Sequence, residues 1–324
     1  MTIAGSRKKC PVTYSEVHLF FSLVDYRNNY FTSNDPDKII EFYNGFENRD
    51  QLIQWMEERP RGVANIHEVD GGKEIIVVIP TADFNGKYAR ECRENIFKGL
   101  HIVFVESGEV PDPYFNYAHN CNVGIRKAME YNPKWVIVSN DDMYKIDNIS
   151  VLIHELSNLN EKSVISVFTK PSKYHSYKAA IGQKRLIVTD IATFIYYNIR
   201  NEISRYKQLK KLQRRFAIKW FPTIRNRIIY HFLYKRVRSY ILTSAFTILS
   251  YTFCIKRNEV FNETYCNGVE DWELSLELDK FGKRIISFRI GDMVGSTLGK
   301  YTDKRILRNT VNLIYFQDRI SSLL

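Results

Sequence analysis

Apolar residues fall along this chain in two rhythms. Short unbroken runs at Glu74–Ile79, His101–Val105, Trp135–Ser139 and Ser163–Phe168 read as strands buried on both faces of a sheet. Between them, apolar positions recur at intervals of three and four, which predicts helices over Lys87–Lys98, Asn116–Tyr131 and 147–160. Gly99 stops the first of these. Strands alternating with helices predict βαβ units and a mostly parallel sheet. Upstream, Val17–Val24 reads as a strand or a short buried helix, and Lys38–Met56 has helical spacing after a start signal at Asp35-Pro36. The longest apolar-leaning stretch, Ile241–Ile255, is too short and too rich in Thr and Ser to cross a bilayer and reads as strands. Asn267-Gly268 marks a turn, and Val269, Trp272, Leu274, Leu276 and Leu278 anchor a helix starting near Glu270.

The strand runs end in polar groups. Glu74–Ile79 leads into Thr81 and Asp83, His101–Val105 into Glu106, and Trp135–Ser139 into Asp141 and Asp142. Carboxyl ends of parallel strands share one edge of a sheet, where open α/β folds bind ligands, so these groups are expected in one crevice. Two adjacent carboxylates there repel each other unless a cation or donor intervenes. Mg²⁺ favours such a place, taking one or two carboxylates and completing its shell with substrate phosphates and water. The plain alternative is an Asp-rich turn. Likewise, Glu270 and Asp271 suit the dipole of a helix start, but a carboxylate there is also a candidate general base for a hydroxyl.

Charge narrows the partners. The chain has 324 residues and a formal net charge of +11, which points to an anionic partner: nucleic acid, a membrane surface or a phosphorylated substrate. From Arg200 to Arg238 there are thirteen basic residues against one acidic residue, Glu202, with aromatics interleaved. A basic, aromatic-rich amphipathic segment predicts attachment to an anionic membrane surface, in preference to nucleic acid. The five cysteines, Cys10, Cys92, Cys121, Cys254 and Cys266, have no paired spacing and are odd in number. That argues against a disulfide framework or a zinc site. With no apolar leader and no spanning segment, the expected location is cytoplasmic, peripheral at the inner face of a membrane.

The ordered set of motifs resembles the family 2 glycosyltransferases, which have the GT-A fold. It comprises IVVIPT, VFVES, NYAHNCNVGIRKA, VSNDD, SAFTILSYTFCIKRNEVFNE and NGVEDWELSLEL, and it covers about 73–170 and 240–296. The resemblance implies an α/β fold of the GT-A (Rossmann-like) type: a mixed, mostly parallel sheet flanked by helices. It divides the chain into an N-terminal addition (1–72), a nucleotide-sugar-binding half (73–170), a basic helical insertion (171–240) and an acceptor-binding half with a C-terminal tail (241–324).

The activity it implies is inverting transfer of a sugar from a nucleotide-diphosphate sugar to a hydroxyl of a glycan or lipid-linked acceptor. Thr81 and Glu106 would contact the nucleobase and Asp141 the ribose, with Asn122 and Arg126 lining the nucleotide pocket. Asp142 would hold Mg²⁺ or Mn²⁺, Asp271 or its neighbour Glu270 would be the base, and Trp272 would stack on a sugar. The chain departs from the family pattern twice. Glu106 stands where an Asp is usual, and Arg289–Ser296 has no His to complete the metal shell, which leaves Asp292 or water for that place. Two rival readings exist. A nucleotidylyltransferase needs a Gly-rich phosphate loop, and IPTADFNGKYAR has only Gly86. A non-catalytic membrane- or nucleic-acid-binding protein would use only the basic 200–238 segment.

Overall fold

A strand sends alternate side chains to opposite faces, and Ile75–Ile79, Ile102–Val105 and Trp135–Val138 are apolar at every position because both faces are covered. The computed structural model describes residues 27–108, 112–159, 164–170, 194–195, 198–200, 202–216, 245–278, 283–293 and 303–323. The expectation for Val17–Val24 and most of those for 171–240 lie outside these residues.

The strands are β1 (Asn65–Val69), β2 (Gly72–Thr81), β3 (Leu100–Glu106), β4 (Trp135–Ser139), β5 (Met143–Lys145), β6 (Val164–Lys170), β7 (Phe246–Ser250) and β8 (Lys283–Asp292). They form one sheet in the order β1-β3-β2-β4-β7-β6-β8-β5. β2 is parallel to β3 and to β4, and β6 is parallel to β8. β1, β7 and β5 run against their neighbours, so five of the eight strands point one way. The architecture is therefore α/β with a mixed, mostly parallel central sheet, consistent with a Rossmann-like fold.

On one face, Ile75, Val77, Ile79, Ile102, Phe104, Trp135 and Ile137 pack against two helical segments. These are α3 (Lys87–Glu91), which runs on into a π-helical turn at Cys92–Ile96, and α5 (Ile149–Ser157). On the other face, Ile76, Val78, Val103, Val105, Val136 and Val138 pack against α4 (Tyr117–Met129) through Ala118, Cys121, Ile125 and Ala128. Gly124 lets α4 approach closely, since a Cβ there would lie 2.3 Å from Val78 Cγ1.

A third apolar cluster is helical. It joins α1 (Pro36–Asn44), α2 (Arg49–Glu58), α6 (Ile203–Arg215) and α9 (Asp303–Leu323), with Tyr265, Cys266 and Val269 packed among them. The Tyr43 hydroxyl donates to the Leu307 carbonyl and accepts from Val311 N at 3.1 Å. Arg308 donates to the carbonyls of Phe31, Thr32 and Ser33. Among the described residues, no helix is long and apolar enough to cross a membrane.

Three segments differ from the sequence reading. Lys38–Met56 is two helices, because Gly45 closes the first through bonds to Phe42 and Tyr43 carbonyls and the Asn48 side chain caps the second. Lys87–Lys98 widens into the π-helical turn after Glu91, closed by Phe97 N donating to Cys92 O at 2.8 Å. The described part of Ile241–Ile255, residues 245–255, holds β7 followed by the short helix α7 (Tyr251–Cys254), whose first turn is capped by the Ser250 hydroxyl accepting from Phe253 N.

Candidate active site at the carboxyl edge of the sheet

The neighbouring strands β2 and β4 end side by side, and their last polar residues touch. Thr81 Oγ1 donates to Asp141 Oδ2 at 2.8 Å, with both residues buried. Burial pushes the Asp141 carboxyl up to about 6; the Thr81 hydroxyl opposes that rise and the Asp142 charge adds to it. Asp142 is equally buried, at 5 % exposure. Glu106, at the end of β3, reaches into the loop after β2: its Oε1 accepts from Phe84 N at 2.8 Å and its Oε2 meets His67 Nε2 at 2.9 Å. The Phe84 N–H and His67 hold Glu106 below the usual carboxylate range against the opposing effect of burial. The rings of His67 and Phe84 stack 4.5 Å apart beside it. The three strand ends are thus brought together, as their placement predicts.

The second acidic pair opens α8 (Glu270–Leu278). Its approach is a backbone of unusual shape, with Asn267 at φ 56° and Val269 at φ 74°. The left-handed region is costly for a β-branched residue, and such strain concentrates at functional sites. Asn267 fastens this turn to the start of α4, accepting from Tyr117 N at 2.7 Å and donating to Phe115 O at 2.9 Å. The Tyr117 hydroxyl in turn donates to Asn140 Oδ1 at 2.9 Å, next to the Asp141-Asp142 pair. Burial raises the Tyr117 phenol well above its ordinary value, and the charges of Glu270 and Asp271 add to the rise. One tyrosine therefore lies between the acidic end of β4 and the acidic start of α8.

The two carboxylates of α8 differ. Glu270 is 4 % exposed, its Oε2 has no hydrogen-bond partner among the described residues, and burial pushes its pKa up to about 7. Asp271 is partly exposed, so it is the one that an incoming molecule can reach.

Three sequence expectations are corrected. Asn122 does not face the crevice. Its Nδ2 donates to Phe261 O at 2.7 Å and Glu263 Oε1 at 2.9 Å, and its Oδ1 accepts from the N–H groups of Val260 and Phe261. The whole amide is spent tying the 260–263 segment to α4. Arg126 is exposed on α4, about 13 Å along the helix from its start at the crevice. Trp272 packs edge-on to Phe316 at a centroid distance of 5.6 Å against the helical cluster, so it serves as an anchor rather than a sugar platform.

The acidic end of β4 has the chemistry for a hard cation. Two buried adjacent carboxylates, one with a raised pKa, carry repulsion that a divalent ion would relieve. The backbone ladder β5–β8 runs beside this pair. Asp292 pairs with Met143 in register, and Met293 N donates to Asp142 O at 2.9 Å. Among the described residues, no group of three or more His, Cys, Asp or Glu side chains is gathered around a common point, so any ion here would draw on substrate oxygens or water for the rest of its shell.

No protein-family model matches the chain, and no curated protein matches it.

Proposed function

We propose that the chain is an inverting GT-A glycosyltransferase that moves a sugar from a nucleotide-diphosphate sugar to a hydroxyl of a glycan or lipid-linked acceptor. The observation that carries this reading is the convergence of two acidic pairs far apart in sequence, Asp141-Asp142 and Glu270-Asp271, through Tyr117 and Asn140. A nucleotide site beside a cation site, facing a base across a crevice, is what such a transfer requires. The strand order supports it too: β3-β2-β4 are parallel, the place where this reading puts the nucleotide, and the reversed β7 separates them from β6 and β8.

In this reading Thr81 and Asp141 orient the nucleoside, and Asp142 is the residue that would hold Mg²⁺ or Mn²⁺. Such an ion, when bound, supplies charge neutralisation for the departing diphosphate. Asp271 accepts the proton of the acceptor hydroxyl. As the proton moves, the acceptor oxygen forms a bond to the anomeric carbon from the face opposite the diphosphate. The carbon–oxygen bond to the diphosphate breaks, and its electron pair leaves with the diphosphate. Attack from the opposite face inverts the anomeric centre. Glu270, buried behind Asp271, holds its proton to near neutrality and so adds little negative charge behind the base.

The test is thermal stability of the full chain with UDP, GDP and their sugar conjugates, with and without Mn²⁺. A ligand that binds only the native state raises the melting temperature. The expected result is stabilisation by at least one nucleotide that increases with Mn²⁺, with the metal-dependent part lost in Asp142→Ala. If no nucleotide stabilises the wild type at millimolar levels, the donor site is not there.

A further inference from the structure

The basic segment read from the sequence combines, in the structure, with an apolar element that its composition did not single out. The aromatic and aliphatic face of α6 is turned into the protein: Leu209, Leu212 and Phe216 are buried in the helical cluster, with Tyr206 packed against it. That face is therefore closed to lipid, contrary to the expectation for an amphipathic surface helix. The opposite stripe is Ile203, Lys207, Lys211 and Arg214, spaced four, four and three apart, and all four are exposed. Among the described residues, no ion pair or cation–π contact occupies Lys207, Lys211 or Arg214. The one acidic neighbour on this helix, Glu202, is engaged with Arg205 at 3.1 Å.

Three exposed aliphatics lie just before α6 and at its first residue. Ile195 is 47 %, Ile199 77 % and Ile203 36 % exposed. Phe194 leans on Tyr206 at 5.3 Å, which fixes this segment beside the helix.

We propose that Ile195, Ile199 and Ile203, together with the Lys207-Lys211-Arg214 stripe, form a docking surface for an anionic lipid bilayer. Isolated exposed aliphatics need no explanation. Three of them at four-residue intervals, leading into an unpaired basic stripe, match the two parts of a bilayer surface: acyl chains at the boundary and anionic headgroups above them. A nucleic acid would be served by open aromatic faces for base stacking; of the described aromatics here, Phe216 is buried, Tyr206 is partly buried, and the half-exposed Phe194 is set edge-on against Tyr206. This inference does not depend on the transferase reading, since it uses no residue of the crevice.

The experiment is co-sedimentation of the full chain with vesicles of phosphatidylcholine alone or mixed with phosphatidylserine, at low and physiological salt. The wild type is expected to bind only the mixed vesicles, more tightly at low salt. Lys207→Gln/Lys211→Gln/Arg214→Gln should lower partitioning at low salt by about 100-fold, at about 5-fold per charge. Ile199→Ser/Ile203→Ser should lower it several-fold at both salts, because burial of apolar surface is not screened. All of these positions are exposed, and a melting temperature equal to wild type identifies folded variants. Equal binding to neutral and anionic vesicles, or unchanged partitioning in either variant, overturns the proposal. So does single-stranded RNA that binds the wild type and displaces the vesicles, which would assign the stripe to nucleic acid.

Discussion

Glu273 sits one turn into α8 and holds that helix in place, so its removal gives a quantitative test of how the acidic start of α8 is positioned. Its carboxylate is buried and accepts from Arg319 Nε at 3.1 Å and Nη2 at 2.9 Å, from the Tyr265 hydroxyl at 2.7 Å, and from Asn262 Nδ2 at 3.2 Å. In Glu273→Ala these donors lose their acceptor unequally. Arg319 is 38 % exposed, so it rehydrates and its loss is discounted to about 1 kcal/mol. Asn262 keeps a bond to the Tyr315 hydroxyl at 3.1 Å. Tyr265 is fully buried. Burial, together with the Glu273 charge, raises its phenol far above the ordinary value, so the hydroxyl keeps its proton and is left as an orphaned donor. That costs about 1–3 kcal/mol. The sum is about 3 kcal/mol, or a fall of about 4 °C in melting temperature for a chain of this size.

Chemical unfolding of the wild type, Glu273→Ala, Tyr265→Phe and the double variant separates these contributions. Removing the orphaned hydroxyl as well should recover part of the loss, which gives a coupling of about 1–2 kcal/mol between the two positions. A single-variant loss below about 1 kcal/mol, or strict additivity of the two changes, would refute the claim that this hydrogen-bonded hub anchors the helix.

Two further outcomes follow from the acidic pair itself. Glu270 has its pKa raised by burial from 4.5 to about 7. The native state therefore holds a proton that the unfolded chain releases, and stability present below pH 4.5 is lost as pH rises through about 7. Glu270→Gln should flatten this part of the profile and be the more stable protein at pH 8, and parallel pH–stability curves would contradict it. In Asp271→Asn, transfer should slow by about 10²–10⁴-fold with donor affinity unchanged. Steady-state kinetics set beside donor titration decide the matter, and near wild-type turnover would remove Asp271 as the base.

The parts of the fold legible in the sequence were those whose burial is uniform. β2 and β4 are apolar on both faces and β3 nearly so, and α4 carries its apolar residues at helical spacing, so composition alone locates them. β1 was not legible: it is an edge strand with mostly exposed positions, including Ile66 at 41 % exposure, and no clean alternation. β5, at three residues, is too short for any period to show.

Within the site, Thr81, Glu106, Asp141 and Asp142 were readable because strand ends in a parallel sheet must share an edge. Tyr117 and Asn140 were not, since their contact depends on where α4 starts relative to β4. The Asn267-Gly268 turn announced one left-handed residue, but nothing in the sequence announces a valine in that conformation. Asn122 misled for a related reason: an amide near a crevice looks like a ligand contact until the backbone it binds, 138 residues on at Val260, is folded against it.

The helical cluster also bears on synthesis of the chain. The apolar faces of α1 and α2 are covered in part by residues that emerge much later, such as Leu307, Val311 and Phe316 of α9. At a translation rate of about 5–20 residues per second, roughly 13–50 s separate the completion of α2 from the completion of its cover. The sheet between them can close in that interval, because its strands and their helices are nearer in sequence. Two early helices are thus fully covered late, and Ile39, Phe42, Tyr43 and Trp55 lack part of their cover in the meantime. Loss of the Leu307–Phe316 part of α9 would leave that cover incomplete, so the yield of folded protein in the cell depends on α9 although the crevice lies elsewhere.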